Sequence, residues 1–461
     1  MEHAPSIVQP PTQPGQSAPE TALARRLGIF DATMIVMGGA IGAGIFVNPS
    51  VVARQVHTPV LVLGAWVVGG LIILIGAFVY AELAARRPLV GGQYAYLRDA
   101  YNPMLAFLYG WALLLVVQGG AMAGAAIIFG NYFRELTGTH VPVPVIAVTA
   151  IGALTAINCL GVRAGSNVQN ALTLTKILAI VFLILAGWIA VAPVTSSGAS
   201  IAQGEAAQPA PGGLTSMVMA MVPVLFAYGG WKTTSFMAGE MRNPRRDLPR
   251  GLIMGVMGVI VLYVTVTFVC LRTLGVAGLA ATTTPASEVM RHALGERGAK
   301  IIALGIAVST VGYISQSMLT TPRVFYAMAC DGVFFKAVGW LHPRTRAPVV
   351  AIALQGAWTA VIALSGKYDR ILNYVEAINV LFAGLTGASL FIYRSRARRD
   401  GTNAADYKIV RVPGHPFTTL VFVLACWAVS LTSIVKSPGD AGLGVVILGI
   451  GALVYRFWRK F

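Results

Sequence analysis

The chain has 461 residues, 56% of them apolar and only 11% charged, and 34 basic against 17 acidic side chains leave a formal charge of +17. A soluble domain carries about 25% charged residues to face water. This chain cannot cover such a surface, which excludes a soluble, fibrous, disordered or nucleic-acid-binding body and leaves a polytopic helical membrane protein, all-α in class.

In chain order, residues 1–24 are rich in Pro, Gln and Ser and read as a disordered cytoplasmic tail. Twelve apolar runs of about 20 residues follow, centred near Ile41, Val68, Leu115, Ile151, Val181, Val224, Ile260, Val311, Leu354, Ala383, Leu424 and Ile447. Basic residues crowd the loops on one side, among them Arg86, Arg98, Arg163, Arg242, Arg245, Arg246, Arg344, Arg394 and Arg396. The positive-inside rule then predicts both termini in the cytoplasm. The stretch from Gly275 to Lys300 reads as an outer loop with short surface helices. The four cysteines and six histidines show no ligand spacing, so neither a metal nor a cofactor is expected.

Two runs are unusual. MGGAIGAGIFVNP (Met37–Pro49) and PVLFAYGGWKTT (Pro223–Thr234) cluster glycines in the middle of spans one and six. Glycine costs about 1 kcal/mol in a helix interior relative to alanine. Close helix packing is the commoner use of membrane glycines, but these fall within one turn, at equivalent places of two five-span halves. Paired interruptions of this kind point to a transporter of inverted repeats with discontinuous helices. Backbone groups freed by a break must line a cavity. One half-helix then offers N–H groups to a carboxylate and the other offers carbonyls to an ammonium, which suits an amino acid zwitterion.

At these residues the chain resembles the amino acid–polyamine–organocation (APC) superfamily, and within it the L-type amino acid transporter branch and its bacterial relatives. GAIGAGIFVNP (Gly39–Pro49), YAELAARRPLVGGQYAYLRDAY (Tyr80–Tyr101), FAYGGW (Phe226–Trp231) with GEMRNPRRDLPR (Gly239–Arg250), and TPRVFYAMACDGVFFKAVGWLHPRTRAPVVA (Thr321–Ala351) carry the likeness. The resemblance implies the leucine-transporter fold: 12 transmembrane helices, a 5+5 inverted repeat, and breaks in helices 1 and 6. The repeats would occupy 25–193 and 214–399, with an outer loop at 194–213 and spans 11–12 in 400–461. It implies that amides of Ala43, Gly44 and Ile45 hold the substrate carboxylate. Carbonyls of Ala40, Phe226 and Gly229 would hold its amine, with Phe226 closing over it from outside. Ala43 stands where many relatives have Ser, and Lys232 where they have Asn, Asp or Gln.

Lys232 is a specificity candidate, for pairing with an acidic substrate, although snorkelling or an ion pair with Glu240 reads better. Trp231 reads as packing at least as well as contact. Lys176 stands about 20 Å of helix beyond Arg163, inside the span-five run, where an ionisable residue is a functional candidate. The resemblance implies that its ammonium replaces a sodium ion between spans one and eight, with Ser317 and carbonyls near Gly38 and Gly39 as partners. Glu82 reads as a helix-end pair with Arg86, and Glu376 as an outer-interface residue. Gln118 and Tyr313 fit either the pocket or helix–helix hydrogen bonding.

The resulting expectation is a sodium-independent amino acid transporter, an exchanger or proton symporter for neutral substrates, and not an enzyme. A polyamine or cationic amino acid carrier, an acidic amino acid carrier and a non-transporting sensor are the alternatives. No cysteine falls between Phe133 and Val141, so no glycoprotein partner is expected. The lipid bilayer is the expected surrounding partner.

Overall fold

The computed structural model describes residues 23–189, 213–365, 368–400, 410–436 and 438–458. The expected tail and most of the 194–213 loop lie outside these, as does the side chain of Glu376. Sixteen α-helices make up nearly all of the described chain, and no strand occurs among the described residues.

The first run gives two helices, α1 (Ile29–Ala40) and α2 (Gly44–Val56), whose axes differ by 46°. The basic-side ends of α3 (Pro59–Arg86) and α5 (Pro103–Ala112) are joined by α4 (Gln93–Ala100). A π-helical turn, Leu113–Val117, leads α5 into α6 (Gln118–Thr137). Then follow α7 (Val143–Cys159), α8 (Val162–Ile189) and α9 (Gly213–Ala227). Trp231–Glu240 winds as a 3-10 helix, and α10 (Pro244–Ala281) and α11 (Pro285–Thr320) come next. The rest are α12 (Pro322–Cys330), α13 (Val349–Ser365), α14 (Tyr368–Arg399), α15 (Phe417–Lys436) and α16 (Pro438–Trp458).

Seven helical stretches are long and apolar enough to cross a membrane, or eight if α1 and α2 form one bent span. Three further apolar helices are shorter, including α7 and α13. Backbone amides satisfied within each helix are what make such segments stable in lipid. The surface helices expected between Gly275 and Lys300 form as turned-away ends of α10 and α11. Gly275 and Gly295 sit at φ +66° and +65°, inside those two helices.

The centre is built from the broken helices. α1 packs against α8, α10 and α11, and α2 against α9 and α10. A buried aromatic group, Trp66, Tyr228 and Tyr263, fills the angle between α3, α9 and α10. Lipid-side residues such as Leu71, Leu178, Val261 and Leu304 are exposed, as an apolar solvent permits.

Candidate functional site

Span one breaks because Ile41 leaves the helical region (φ −75°, ψ 89°) and α2 restarts only at Gly44. Span six breaks at Gly230, with φ +86° and ψ −21°, a conformation that glycine alone enters without strain. The two breaks lie backbone on backbone. A Cβ on Gly230 would stand 2.2 Å from the Gly39 carbonyl oxygen, and one on Gly39 would stand 2.8 Å from the Gly230 oxygen. The glycines are there to let two main chains meet.

A cavity of about 280 Å³ opens beside this contact. Gly39 to Gly44 (save Ile41) line one wall, and Phe226, Ala227, Gly229, Gly230, Lys232 and Thr233 line another. α6 contributes Gln118, Ala121 and Ala125, and α11 contributes Thr310 and Tyr313. The first-turn amides of α2 have no intrahelical acceptor, so Gly44 presents N–H groups and the positive dipole end to the cavity. Carbonyl ends arrive from α1 and α9. The Tyr263 hydroxyl lies between them, 2.7 Å from the Ala40 oxygen and 3.2 Å from the Ala227 oxygen. An apolar wall with opposed donor and acceptor ends suits a small zwitterion.

Phe226 is 41% exposed and, with Val47 and Asn48 of α2, borders the cavity on the side away from the arginine-rich loops. The arginine-rich side is closed. Trp231 is buried there, its ring 5.0 Å from that of Tyr80. Below it, Glu240 and Arg323 form a two-pronged pair at 2.8 and 2.9 Å, both side chains essentially inaccessible. Arg26 and Leu27 donate their amides to the Glu240 carbonyl, and Arg242 returns its amide to Leu27. Glu82 accepts from Arg86, from Arg394 and from the Val412 amide, tying three segments together.

Lys176 is fully buried, and its ammonium donates to the Gly38 and Ile41 carbonyls, each at 2.6 Å. A continuous helix would satisfy the Gly38 oxygen with the Gly42 amide, but that amide bonds to Ala40 instead. The lysine therefore takes over carbonyls that the break releases. Ser309 of α11 donates toward the same region, at 3.3 Å from the Ile41 oxygen and 3.2 Å from the Gly42 oxygen. The ammonium is thus held by two main-chain oxygens at the break.

The sequence profile described as "Amino acid permease" matches residues 27–453. The chain belongs to the amino acid permease family. The permease is 28% identical over 452 residues to the serine/threonine exchanger SteT of Bacillus subtilis, covering 96% of this chain and 98% of that one. It is 28% identical to the mouse large neutral amino acids transporter small subunit 2, over 98% of this chain and 84% of the other. It is also 28% identical to the human b(0,+)-type amino acid transporter 1, over 82% and 78%. The permease is thus a multi-pass membrane transporter of amino acids rather than an enzyme.

Of the residues expected at the permease's site, Ala40, Ala43, Gly44, Phe226, Gly229 and Lys232 all border the cavity. Ile45 does not line it and is fully buried. Lys176 reaches span one as expected, but Ser317 is not its partner. The Ser317 hydroxyl accepts from Gln118 Nε2 at 2.6 Å, and Ser309 occupies the place expected for it. The two serines are eight residues apart, about 12 Å along an α-helix.

Lys232 does not pair with Glu240, which is taken by Arg323; its ammonium donates to the Asn379 carbonyl at 3.1 Å. The 3-10 winding explains this. Eight residues at three per turn leave Lys232 and Glu240 about 120° apart in azimuth and about 16 Å apart along the axis. Trp231 packs rather than lines, and Gln118 both lines the cavity and hydrogen-bonds across helices. Tyr263 and Ser309 were missed, because a lone hydroxyl in an apolar run carries no pattern.

Proposed function

We propose that the permease is a sodium-independent exchanger of neutral amino acids in the cell membrane, working by alternating access around the two breaks. The carrying observation is the Lys176 ammonium on the Gly38 and Ile41 carbonyls. A fixed positive charge in that position supplies what a bound sodium ion would supply, so transport draws nothing from a sodium gradient. Substrate lies with its carboxylate on the α2 amides and its ammonium toward the carbonyl ends of α1 and α9. No carboxylate lines the cavity among the described side chains, which disfavours cationic amino acids and polyamines. The relatives' names, a serine/threonine exchanger and a large neutral amino acids transporter, support exchange and neutral substrates.

The same reading places twelve spans in two five-span inverted repeats, 25–193 and 214–399, followed by spans 11–12. Both termini are cytoplasmic, which puts the closed, arginine-rich side inside and the open cavity outside. The permease works without a glycoprotein partner. Purified protein in liposomes loaded with unlabelled neutral amino acids tests the proposal. Labelled substrate should enter only when amino acid is present inside, at the same rate when choline replaces sodium. A requirement for sodium, or equal uptake into empty liposomes, overturns it.

A further inference from the structure

The cavity wall formed by the third span carries a feature that zwitterion binding does not use. Along that span Leu113, Val117, Gln118, Ala121 and Ala125 follow one another on the cavity wall, so that Val117 and Gln118 line it side by side. Leu113–Val117 is the π-helical turn, closed by the Gln118 amide on the Leu113 carbonyl. In a helix of 3.6 residues per turn Gln118 would stand about 140° from Leu113; the extra residue turns it back toward that face, beside Val117. Such turns cost regular hydrogen bonding and are concentrated at functional positions.

The amide so placed is only 5% exposed. Its nitrogen is engaged, donating to Ser317 Oγ at 2.6 Å and to the Tyr313 hydroxyl at 3.5 Å. Its oxygen receives no donor from any described residue, yet it is not among the fully enclosed atoms that lack a partner. It therefore faces the cavity. Three other polar side chains of the lining spend their donors internally, Thr310 on the Ala307 carbonyl, Thr233 on Gly230 and Asn48 on Pro223, while the Tyr109 hydroxyl on the third span makes no hydrogen bond with any described residue. The tyrosine ring of residue 313 spans the gap between Gln118 and the break, with its Cδ2 3.9 Å from where a Cβ on Gly42 would stand. One aromatic ring thus separates Gln118 from the α2 end that takes the substrate carboxylate, and the side chain of a bound amino acid starts in that interval.

We infer that Gln118 is a specificity-determining residue: its amide oxygen accepts a hydrogen bond from the substrate side chain, and the preferred substrates are small neutral amino acids bearing a hydroxyl. Ala121 and Ala125 leave room for a short side chain beside it. A carboxylate side chain offers only acceptors to this oxygen and is turned away, and an aliphatic one buries the oxygen unpaired. This inference rests on the exchange reading of the same cavity.

Threonine and valine differ by a hydroxyl for a methyl at nearly constant shape, so their ratio in the liposome exchange assay isolates the contact. The wild-type protein should favour threonine by about 3- to 10-fold in kcat/KM, the worth of one uncharged hydrogen bond, and serine should likewise lead α-aminobutyrate. Gln118→Met should bring both ratios close to one. Ser317→Ala removes the internal bond of Gln118 but leaves the amide in place, and should keep the preference, which a purely structural role for Gln118 would not. Valine equal to threonine in the wild-type protein overturns the assignment with no variant needed, as does a preference that survives Gln118→Met. If both amino acids exchange at a ratio near one, the Gln118 assignment alone falls. If neither exchanges, the reading of the cavity falls with it.

Discussion

Arg323→Met removes the guanidinium that faces Glu240 and leaves a carboxylate 1% exposed with its two-pronged partner gone. Removing one member of a buried, hydrogen-bonded pair costs about 3–5 kcal/mol, because the remaining charge stays desolvated without compensation. Here the upper half of that range applies, since both bonds to Glu240 are short and charge-assisted, at 2.8 and 2.9 Å. The protein should unfold at markedly lower temperature in detergent. A second substitution, Glu240→Leu, deletes the stranded carboxylate, and the double variant should recover most of the loss, because apolar replacement of a whole buried pair is close to neutral. The coupling in this double-mutant cycle should therefore exceed about 2 kcal/mol. Melting curves of the four proteins measure it. If the double variant is as unstable as the sum of the singles, Arg323 and Glu240 act independently and the reasoning fails. The pair also holds the arginine-rich side closed, so cysteines placed at Thr234 or Met237 should label from that side faster in Arg323→Met than in the intact protein.

Gly230→Ala forces a Cβ to within 2.2 Å of the Gly39 oxygen at a left-handed φ. Main chain must move by about 1 Å, and exchange should fall by 100-fold or more, since misplacement of that size disrupts a positioned site; near-normal exchange refutes the backbone contact. Lys176→Met leaves the Gly38 carbonyl without its lysine donor and the Ile41 carbonyl with the Ser309 hydroxyl alone. Exchange should drop at least 10-fold, and replacing choline with sodium should not restore it; unchanged exchange makes the lysine merely structural. His415 lies in the loop before α15, with Nδ1 2.9 Å from Thr419 Oγ1. Burial, helped by nearby Arg394, lowers its pKa below the usual 6.5. The unfolded chain then takes up a proton that the folded one resists, so this contribution is complete above about pH 6.5 and lost as pH falls below it. His415→Gln should flatten the stability profile in that window, and an unchanged acid slope counts against it.

The interruptions of spans one and six were legible because glycine clusters are a costly and local signal. Lys176 was legible because an ammonium is conspicuous in an apolar run. What escaped is the phase between elements. Ser309 and Ser317 look alike in a sequence, and only the antiparallel placement of α11 against α1 chooses between them. The pairing of Lys232 with Glu240 assumed α-helical spacing, which the 3-10 segment does not have. Glu240 finds Arg323, 83 residues away, and no local pattern reports such a partner. The π turn before Gln118 left no mark either, since Leu113–Val117 reads as any apolar stretch.

The meeting of Gly39 and Gly230 has a mechanical consequence. With no side chain between the two strands of backbone, there is no rotamer to flip and no cushion to compress, so the interrupted helices share one pivot. A tilt imposed on either half-helix is handed directly to the other. Opening to the second side of the membrane must then be a single see-saw movement of four half-helices, rather than two gates that yield in turn.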